Sequence, residues 1–233
     1  MNRQNYIPQL YDFLRRVGEN NNREWFKAHK GEYDELRSLW LEDMDRLCML
    51  LGEENPRLRG LTGKDCAYRI YRDTRFSPDK TPLKTYFSAG FSEHGRKAHS
   101  AGLYLQMGPG RFEGSDIDSG VYGGVWCPDS PTLNKLRHAI VDNIEEFEEI
   151  VHSPAMEREF PGWCVTANML KTVPKGWDRN HPQAELLRMK EYGKFHQCDE
   201  KFYLRPDWVE KTAELMGILT PLVEFFRYSI EEE

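Results

Sequence analysis

The residues best suited to chemistry lie in one short segment, YRIYRDTRFSPDKTPLKTYF, at positions 68–87. It carries five cationic and two acidic side chains, although the net charge of the whole chain is -6. The cations are Arg69, Arg72, Arg75, Lys80 and Lys84, and the acids are Asp73 and Asp79. An arginine fork matches a phosphate or carboxylate group, and a lysine adds point charge. The local surplus of positive charge predicts a site for a small anionic or phosphorylated ligand.

Prolines stiffen residues 69–84 of this segment, which we call the basic loop. Pro78 presets the backbone of a turn, and Pro82 favours an extended conformation at Thr81. A preordered loop loses less entropy than a flexible one when it closes on a ligand. The predicted ligand-binding residues are Arg69, Arg72, Asp73, Arg75, Lys80, Lys84 and His181, with Asp73 orienting the arginines.

His181 belongs to a second segment, GWDRNHPQAELLRMK, which we expect to supply another wall of the site. A histidine can act as a general acid or base at neutral pH. The alternative is that His181 only precedes Pro182 at the entry of a helix. No other residue is assigned a catalytic role, and whether the protein is an enzyme stays open.

Two other interpretations of the basic loop are compatible with the sequence. In the first, the arginines pair with Asp73, Asp79 and backbone carbonyl groups, which makes the loop a structural or protein-interaction module. In the second, aromatic residues interleaved with the cations stack on single-stranded nucleic acid. The net charge of -6 makes nucleic acid an unlikely partner, because it provides no general attraction for a phosphate backbone.

No cofactor or metal ion is expected. The five cysteines are widely spaced without a C-x-x-C pair, so they predict neither a zinc site nor a disulfide framework. Two weaker metal candidates, His94 with His99 and Asp116 with Asp118, lack the remaining ligands of known sites. The sequence also lacks the motifs of P-loop NTPases, Rossmann enzymes and α/β hydrolases.

The distribution of apolar residues predicts a cytoplasmic protein without a membrane partner. The first residues, MNRQNYIPQLYDFL, lack the apolar core of a signal peptide. No run approaches the roughly 18 apolar residues of a membrane span. The chain of 233 residues suits one large domain.

Apolar residues recur at helical spacing in three stripes. They are Ile7, Leu10, Leu14 and Val17; then Tyr33, Leu36, Trp40, Met44, Leu47 and Leu51; and finally Val209, Thr212, Met216, Leu219, Val223 and Phe226. Between the helices, DCAYRIY, TYFSAGF, AGLYLQM and GVYGGVW predict strands, and CVTANMLKTV and YGKFHQC predict weaker ones. The order predicts an α+β fold, a mostly antiparallel sheet flanked by N-terminal and C-terminal helices. We expect a single domain over 1–233, helical in 1–55, with a sheet core at about 64–127 and mixed helices and short strands in 128–233.

Capping residues and prolines predict where helices begin. The expected starts are Asn21 with Glu24, Ser130 with Pro131, Ser153 with Pro154, Pro182, and Asp207 with Glu210. Pro221 is expected to kink the last helix. The glycines at 120, 123 and 124 predict a bulge or a close backbone approach within one strand.

The segment RIYRDTRFSPDKTPLKT resembles the hallmark of a widespread family of uncharacterised bacterial proteins, domain of unknown function 2461. The family pattern is an arginine followed by R-D-x-R-F and then an Asp-Lys or Asn-Lys pair. Similarity extends to NNNREWF, GGVWCPDSPTLNKLR and VPKGWDRNHPQAELLRMK. The chain departs from the pattern at Leu83, where the family usually has a tyrosine, so a role of that hydroxyl would be absent or would pass to Tyr86. The resemblance implies a cytosolic protein of about this length, and it implies no activity.

Overall fold

The computed structural model describes residues 6–97, 101–111, 118–164 and 169–231. Helices at both ends flank a four-stranded antiparallel sheet, which confirms the predicted α+β class. The helices are α1 (Ile7–Glu19), α2 (Arg23–Ala28), α3 (Lys30–Glu54), α4 (Gly63–Cys66), α5 (Ser130–Asp142), α6 (Ile144–Val151), α7 (Pro154–Glu159), α8 (Ala184–Arg188), α9 (Glu200–Tyr203) and α10 (Trp208–Glu231). Single 3-10 turns occupy Pro56–Leu58 and Gly95–Lys97. The strands are β1 (Phe87–Phe91), β2 (Gly102–Met107), β3 (Gly120–Val125) and β4 (Tyr192–Gln197).

The strands lie in the sheet in the order in which they occur along the chain, β1-β2-β3-β4. The predictions of strands at TYFSAGF, AGLYLQM, GVYGGVW and YGKFHQC are therefore confirmed. Every residue of β1 and of β3 is buried. Since successive side chains of a strand point to opposite faces, both faces of these two strands are covered.

The strand predicted at DCAYRIY is wrong. Its first residues belong to α4, because Thr62 and Asp65 form a capping box that starts this short helix. Beyond the helix, only an isolated bridge from Ala67 to Ala89 and another from Tyr71 to Leu83 connect this segment to its neighbour. Of the weaker strand predicted at CVTANMLKTV, residues 165–168 lie outside the described residues, and 169–173 form no strand.

Three helix starts differ from the prediction by one or two residues. The N-cap of α2 is Asn22, whose Oδ1 accepts a hydrogen bond from the Trp25 N–H at 2.9 Å. The N-cap of α5 is Asp129 instead of Ser130, and α8 begins at Ala184 after its predicted start. Asn21 does not cap α2 because its side-chain amide is hydrogen-bonded to the backbone of Leu83. The start of α7 after Ser153 is confirmed.

By its contacts the chain divides into two compact units, of which the first comprises Met1–Lys97, Tyr104–Val121 and Gln197–Glu214. Its core contains the predicted stripes of α1 and α3. The buried members are Ile7, Leu10, Leu14, Val17, Tyr33, Leu36, Trp40, Met44, Leu47 and Leu51. Gly63 allows α4 to approach α3, because a Cβ at this position would lie 2.7 Å from the Cβ of Met44. The organisation of the chain as one domain stays a prediction.

The second unit comprises Ala98–Leu103, Tyr122–His196 and Leu215–Glu233. A Cβ at Gly123 would lie 2.9 Å from the Cβ of Leu219, and a Cβ at Gly124 would lie 2.2 Å from Tyr192 O. The close approach predicted from these glycines is therefore confirmed. Pro221 lies inside α10. The predicted stripe of this helix is buried. Its members in the first unit are Val209 and Thr212, and those in the second unit are Met216, Leu219, Val223 and Phe226.

All five cysteines lie in the described ranges and are free thiols. Three of them, Cys48, Cys66 and Cys198, are buried, Cys164 is partly exposed and Cys127 is exposed. Among the described helices, none is long and apolar enough to cross a membrane. The described residues also contain no group of three or more His, Cys, Asp or Glu side chains placed to hold a metal ion.

Candidate functional site

Backbone hydrogen bonds between its two ends close the basic loop at its base. The Arg72 N–H donates to Pro82 O at 2.9 Å, and the Lys84 N–H donates to Ile70 O at 2.8 Å. Opposite residues of an antiparallel pair point to the same face, so Lys84 shares a face with Ile70. Arg72 shares that face as well, because it follows Ile70 by two residues in an extended segment.

Asn21, between α1 and α2, fixes the returning end of the basic loop. Its side-chain Nδ2 donates to Leu83 O at 2.9 Å, and the Leu83 N–H donates to its Oδ1 at 3.0 Å. The side-chain amide thus makes the pair of hydrogen bonds that the backbone of a neighbouring strand would make. Leu83 itself is 1% exposed, so its apolar side chain is buried at this position.

Arg72 holds the basic loop together. Its Nη1 donates to Asp79 Oδ2 at 2.6 Å and to Thr81 O at 3.1 Å, and it also contacts Thr81 Oγ1. Only 11% of the Arg72 side chain is exposed. Hydrogen bonds from the Thr81 backbone N–H, from Arg72 and from the Thr81 hydroxyl lower the pKa of Asp79 to about 2. These contacts agree with the structural interpretation of this arginine.

Two other cations of the basic loop also have partners within it. The Arg75 Nε donates to Asp73 Oδ1 at 3.0 Å, and its Nη2 donates to Asp73 Oδ2 at 2.7 Å. The hydrogen bonds from Arg75 lower the pKa of Asp73 to about 2. The Lys80 ammonium group donates to Thr74 O at 2.8 Å. Asp73 therefore orients Arg75, while Asp79 orients Arg72.

Lys84 lies beside two aromatic rings. Its Nζ is 5.2 Å from the centroid of the Tyr68 ring and 5.6 Å from that of the Tyr86 ring. Among the described residues, none forms a hydrogen bond or an ion pair with this ammonium group. Burial of the charge, followed by repulsion from Arg69 and Arg72, lowers the pKa of Lys84 to about 8.

Arg69 is exposed at the start of the basic loop. Within the part of the chain that the structure describes, its guanidinium group has no hydrogen bond and no ion pair. Its positive charge acts on Lys84 and also helps to lower the pKa of Asp73. The structure thus brings Arg69, Arg72 and Lys84 close enough to influence one another, and neither Arg69 nor Lys84 forms an ion pair with a described carboxylate.

The aromatic partners of Lys84 were not predicted from the sequence. A usable signal existed for Tyr68, because it alternates with Ile70 and Arg72 in an extended segment and so shares their face. The ring of Tyr104, in β2, lies 6.2 Å from the ring of Tyr68. No local pattern indicates this contact, since it joins two residues that are far apart in the sequence.

His181 lies in the second unit. Its Nδ1 accepts a hydrogen bond from the Gln183 N–H at 3.0 Å, and its ring lies 5.6 Å from the ring of Trp177. These contacts agree with the helix-entry interpretation. Of the weaker metal candidates, Asp118 accepts a hydrogen bond from Arg111 Nε at 3.0 Å, whereas His99 and Asp116 lie outside the described residues.

Comparison with known proteins identifies the family of the chain. No curated protein and no solved structure matches it. A family model described as a conserved hypothetical protein, DUF2461, matches residues 9–225 and so includes the whole basic loop. Because this match spans nearly all of the 233 residues, the chain belongs to the DUF2461 family of conserved hypothetical proteins.

Proposed function

We propose that the protein binds a small anionic or phosphorylated ligand through Lys84 and Arg69. The observation that carries this proposal is the setting of the Lys84 ammonium group. It lies 5.2 Å from the Tyr68 ring centroid and is repelled by two arginines, without an ion pair to any described carboxylate. A ligand that brings a negative charge to Lys84 would complete the site.

The unpaired charge of Lys84 costs the folded protein free energy. Desolvation and like charges both disfavour the protonated form of a lysine. An anion placed against Lys84 and Arg69 would offset both the desolvation and the repulsion. Its hydrogen bonds to these groups would be charge-assisted, and such bonds are stronger than neutral ones. The free energy that the folded protein loses by holding this ammonium group would therefore be partly recovered on binding.

In this proposal the remaining charged residues of the basic loop position the site. Arg72, Arg75 and Lys80 already have partners in Asp79, Asp73 and Thr74. Binding by these three cations would require those contacts to break. In this proposal Arg72, Arg75 and Lys80 have a structural role, whereas Arg69 and Lys84 bind the ligand.

Phe76 favours nucleic-acid binding as a second candidate function. This residue is 93% exposed, and the centroid of its ring lies 5.7 Å from the Arg75 guanidinium carbon. An exposed aromatic ring beside an arginine is a stacking platform in proteins that bind single strands. Binding of a short oligonucleotide at physiological salt that is lost in Phe76→Ala would favour this candidate over the small anion.

We also propose a cytoplasmic location. The widely spaced cysteines, without a C-x-x-C pair, predict no disulfide framework, as is usual for proteins of a reducing compartment.

Thermal denaturation of the full chain tests the ligand proposal. The probes are inorganic phosphate, pyrophosphate, glucose 6-phosphate and citrate at pH 7. A probe at a hundred times its dissociation constant should stabilise the wild type by about 2.7 kcal/mol. Lys84→Met and Arg69→Gln should abolish this response.

Arg75→Gln is the matched control, since it removes one positive charge from the same loop at a locally paired residue. It should keep the response to the probe. The proposal is wrong if Arg75→Gln lowers the response as much as Lys84→Met does, or if none of the anions stabilises the wild type. The response should also weaken above about pH 8, where Lys84 loses its charge.

A further inference from the structure

The second unit contains a cleft of about 450 Å³. Aromatic side chains form its apolar wall, and charged groups of both signs lie around it. The aromatic residues are Phe147, Phe160 and Trp163, and the charged residues are Glu148, Glu157 and Lys194. The volume falls within the range of about 300–1,000 Å³ found for small-molecule sites. None of these residues belongs to the basic loop.

The cation of the cleft is Lys194, on β4. The residue is 5% exposed, and its Nζ donates to Phe160 O and to Gly162 O, both at 3.0 Å. Its Nζ also lies 4.9 Å from the centroid of the Trp163 ring. An ammonium group has three N–H donors, so these carbonyl groups leave one donor for a further acceptor.

No described carboxylate forms an ion pair with Lys194. Burial lowers the pKa of this lysine, and the charge of Glu157 opposes that shift. A buried ammonium group normally has an anionic partner, because carbonyl groups replace only part of its hydration. The third donor of Lys194 is therefore suited to a carboxylate supplied by a ligand.

The acidic groups of the cleft are Glu148, on α6, and Glu157, on α7. Glu157 Oε1 is paired with His152 Nδ1 at 2.9 Å. Glu148 Oε1 accepts a long hydrogen bond of 3.4 Å from Gln183 Nε2 and is otherwise exposed. Glu148 therefore has most of its hydrogen-bonding capacity available for a cationic group.

The apolar wall is preformed. The rings of Phe147 and Trp163 stack with centroids 5.9 Å apart and planes 5° from parallel. Phe147 and Phe160 are fully buried, whereas Trp163 is partly exposed and can present apolar surface to a ligand. Burial of an apolar side chain against such a surface favours binding, because it removes apolar area from water.

We propose that this cleft binds a small zwitterion with an apolar side chain, the chemistry of a free aromatic or branched amino acid. Its carboxylate would accept from Lys194, its ammonium group would donate to Glu148, and its side chain would lie against Trp163. A simple anion is disfavoured by Glu148 and Glu157, and a simple cation is disfavoured by Lys194. Only a ligand with both charges meets all the groups of the cleft.

Isothermal titration calorimetry of the full chain at pH 7 tests this inference. The probes are L-phenylalanine, L-tryptophan and L-leucine, together with phenylalaninamide and N-acetyl-L-phenylalanine. The amide lacks the carboxylate, and the acetyl derivative lacks the ammonium group. We expect at least one of the free amino acids to bind. If phenylalanine binds, each of its two derivatives should bind at least tenfold more weakly.

Variants on the surface of α6 provide a matched pair that keeps the fold. Glu148→Gln should weaken binding of the amino acid about tenfold. Glu145→Gln removes an exposed carboxylate of the same helix outside the cleft and should leave binding unchanged. The proposal is overturned if no free amino acid binds at millimolar concentration, if the two derivatives bind as tightly as phenylalanine, or if both glutamate variants behave alike.

Discussion

The side-chain amide of Asn21 is hydrogen-bonded to both backbone polar groups of Leu83, 62 residues further along the chain. Leu83 is buried and immediately precedes Lys84, the cation on which the proposed function rests. An unmade hydrogen bond of a buried backbone group costs about 1–3 kcal/mol. By fixing the backbone of Leu83, Asn21 also positions Lys84 beside the rings of Tyr68 and Tyr86.

Asn21→Ala should lower the free energy of unfolding by about 1–3 kcal/mol, because it leaves the N–H and C=O groups of Leu83 without their partners. Urea denaturation measures this loss. Hydrogen exchange should show that the Leu83 amide loses protection in the variant. Asn22→Ala is the matched control: it removes the N-cap of α2 at a cost of about 1 kcal/mol but should leave the Leu83 amide protected. Equal protection of Leu83 in both variants would contradict this role of Asn21.

Local sequence patterns predicted the long helices α1, α3 and α10 and four of the strands, because these elements depend on nearby residues. The spacing of Leu36, Trp40 and Met44 predicts a buried helical face, and all three are buried in α3. The capping prediction at Asn21 failed by one residue for a nonlocal reason. Its side chain is engaged by Leu83, and Asn22 caps the helix instead.

The composition of the basic loop does not show which of its cations have a carboxylate partner and which do not. Arg72 and Lys84 carry equal formal charge in the sequence, but one is bound by Asp79 and Thr81 and the other lies against Tyr68. This difference arises from tertiary packing that sets the burial and the partners of each charge. The aromatic partners were therefore the part of the site that sequence alone left undefined.

Arg72→Ala should destabilise the protein far more than Arg75→Ala does. Hydrogen bonds to a charged group contribute about 1.5–3 kcal/mol, and the Arg72 side chain is only 11% exposed. The Arg75 side chain is 76% exposed, so its local ion pair should contribute at most about 1 kcal/mol. Urea denaturation of the two variants makes the comparison. Equal losses would mean that Arg72 does not hold the loop together.

Lys84 should make the stability of the protein rise with pH above about 8. Its pKa is lowered to about 8 in the folded state, against roughly 10.4 for an unperturbed lysine. Between these values the unfolded chain binds more protons than the folded chain, so stability increases with pH in this window. Below the folded pKa both states are protonated, and the cost of burying the charge is fully present.

Urea denaturation from pH 7 to pH 10.5 should therefore show the wild type gaining about 3 kcal/mol relative to Lys84→Met. Comparison with this variant removes the contribution of other groups that titrate in the same range. Lys80→Met removes an exposed lysine from the same loop and controls for the loss of one positive charge. A difference between wild type and Lys84→Met that is constant with pH would contradict the desolvated setting of Lys84.

Gly193 provides a test of packing in the second unit. A Cβ at this position would lie 2.1 Å from the Tyr122 Oη and 2.3 Å from its Cζ. Tyr122 is 5% exposed and cannot move into solvent without opening the core, so Gly193→Ala should cost about 1–3 kcal/mol. Gly31→Ala is the control, because no atom lies within 4 Å of its added Cβ and alanine favours a helix by about 0.5–1 kcal/mol. In a double-mutant cycle, Tyr122→Leu should remove most of the cost of Gly193→Ala, whereas additive losses would show that the two side chains do not compete for the same space.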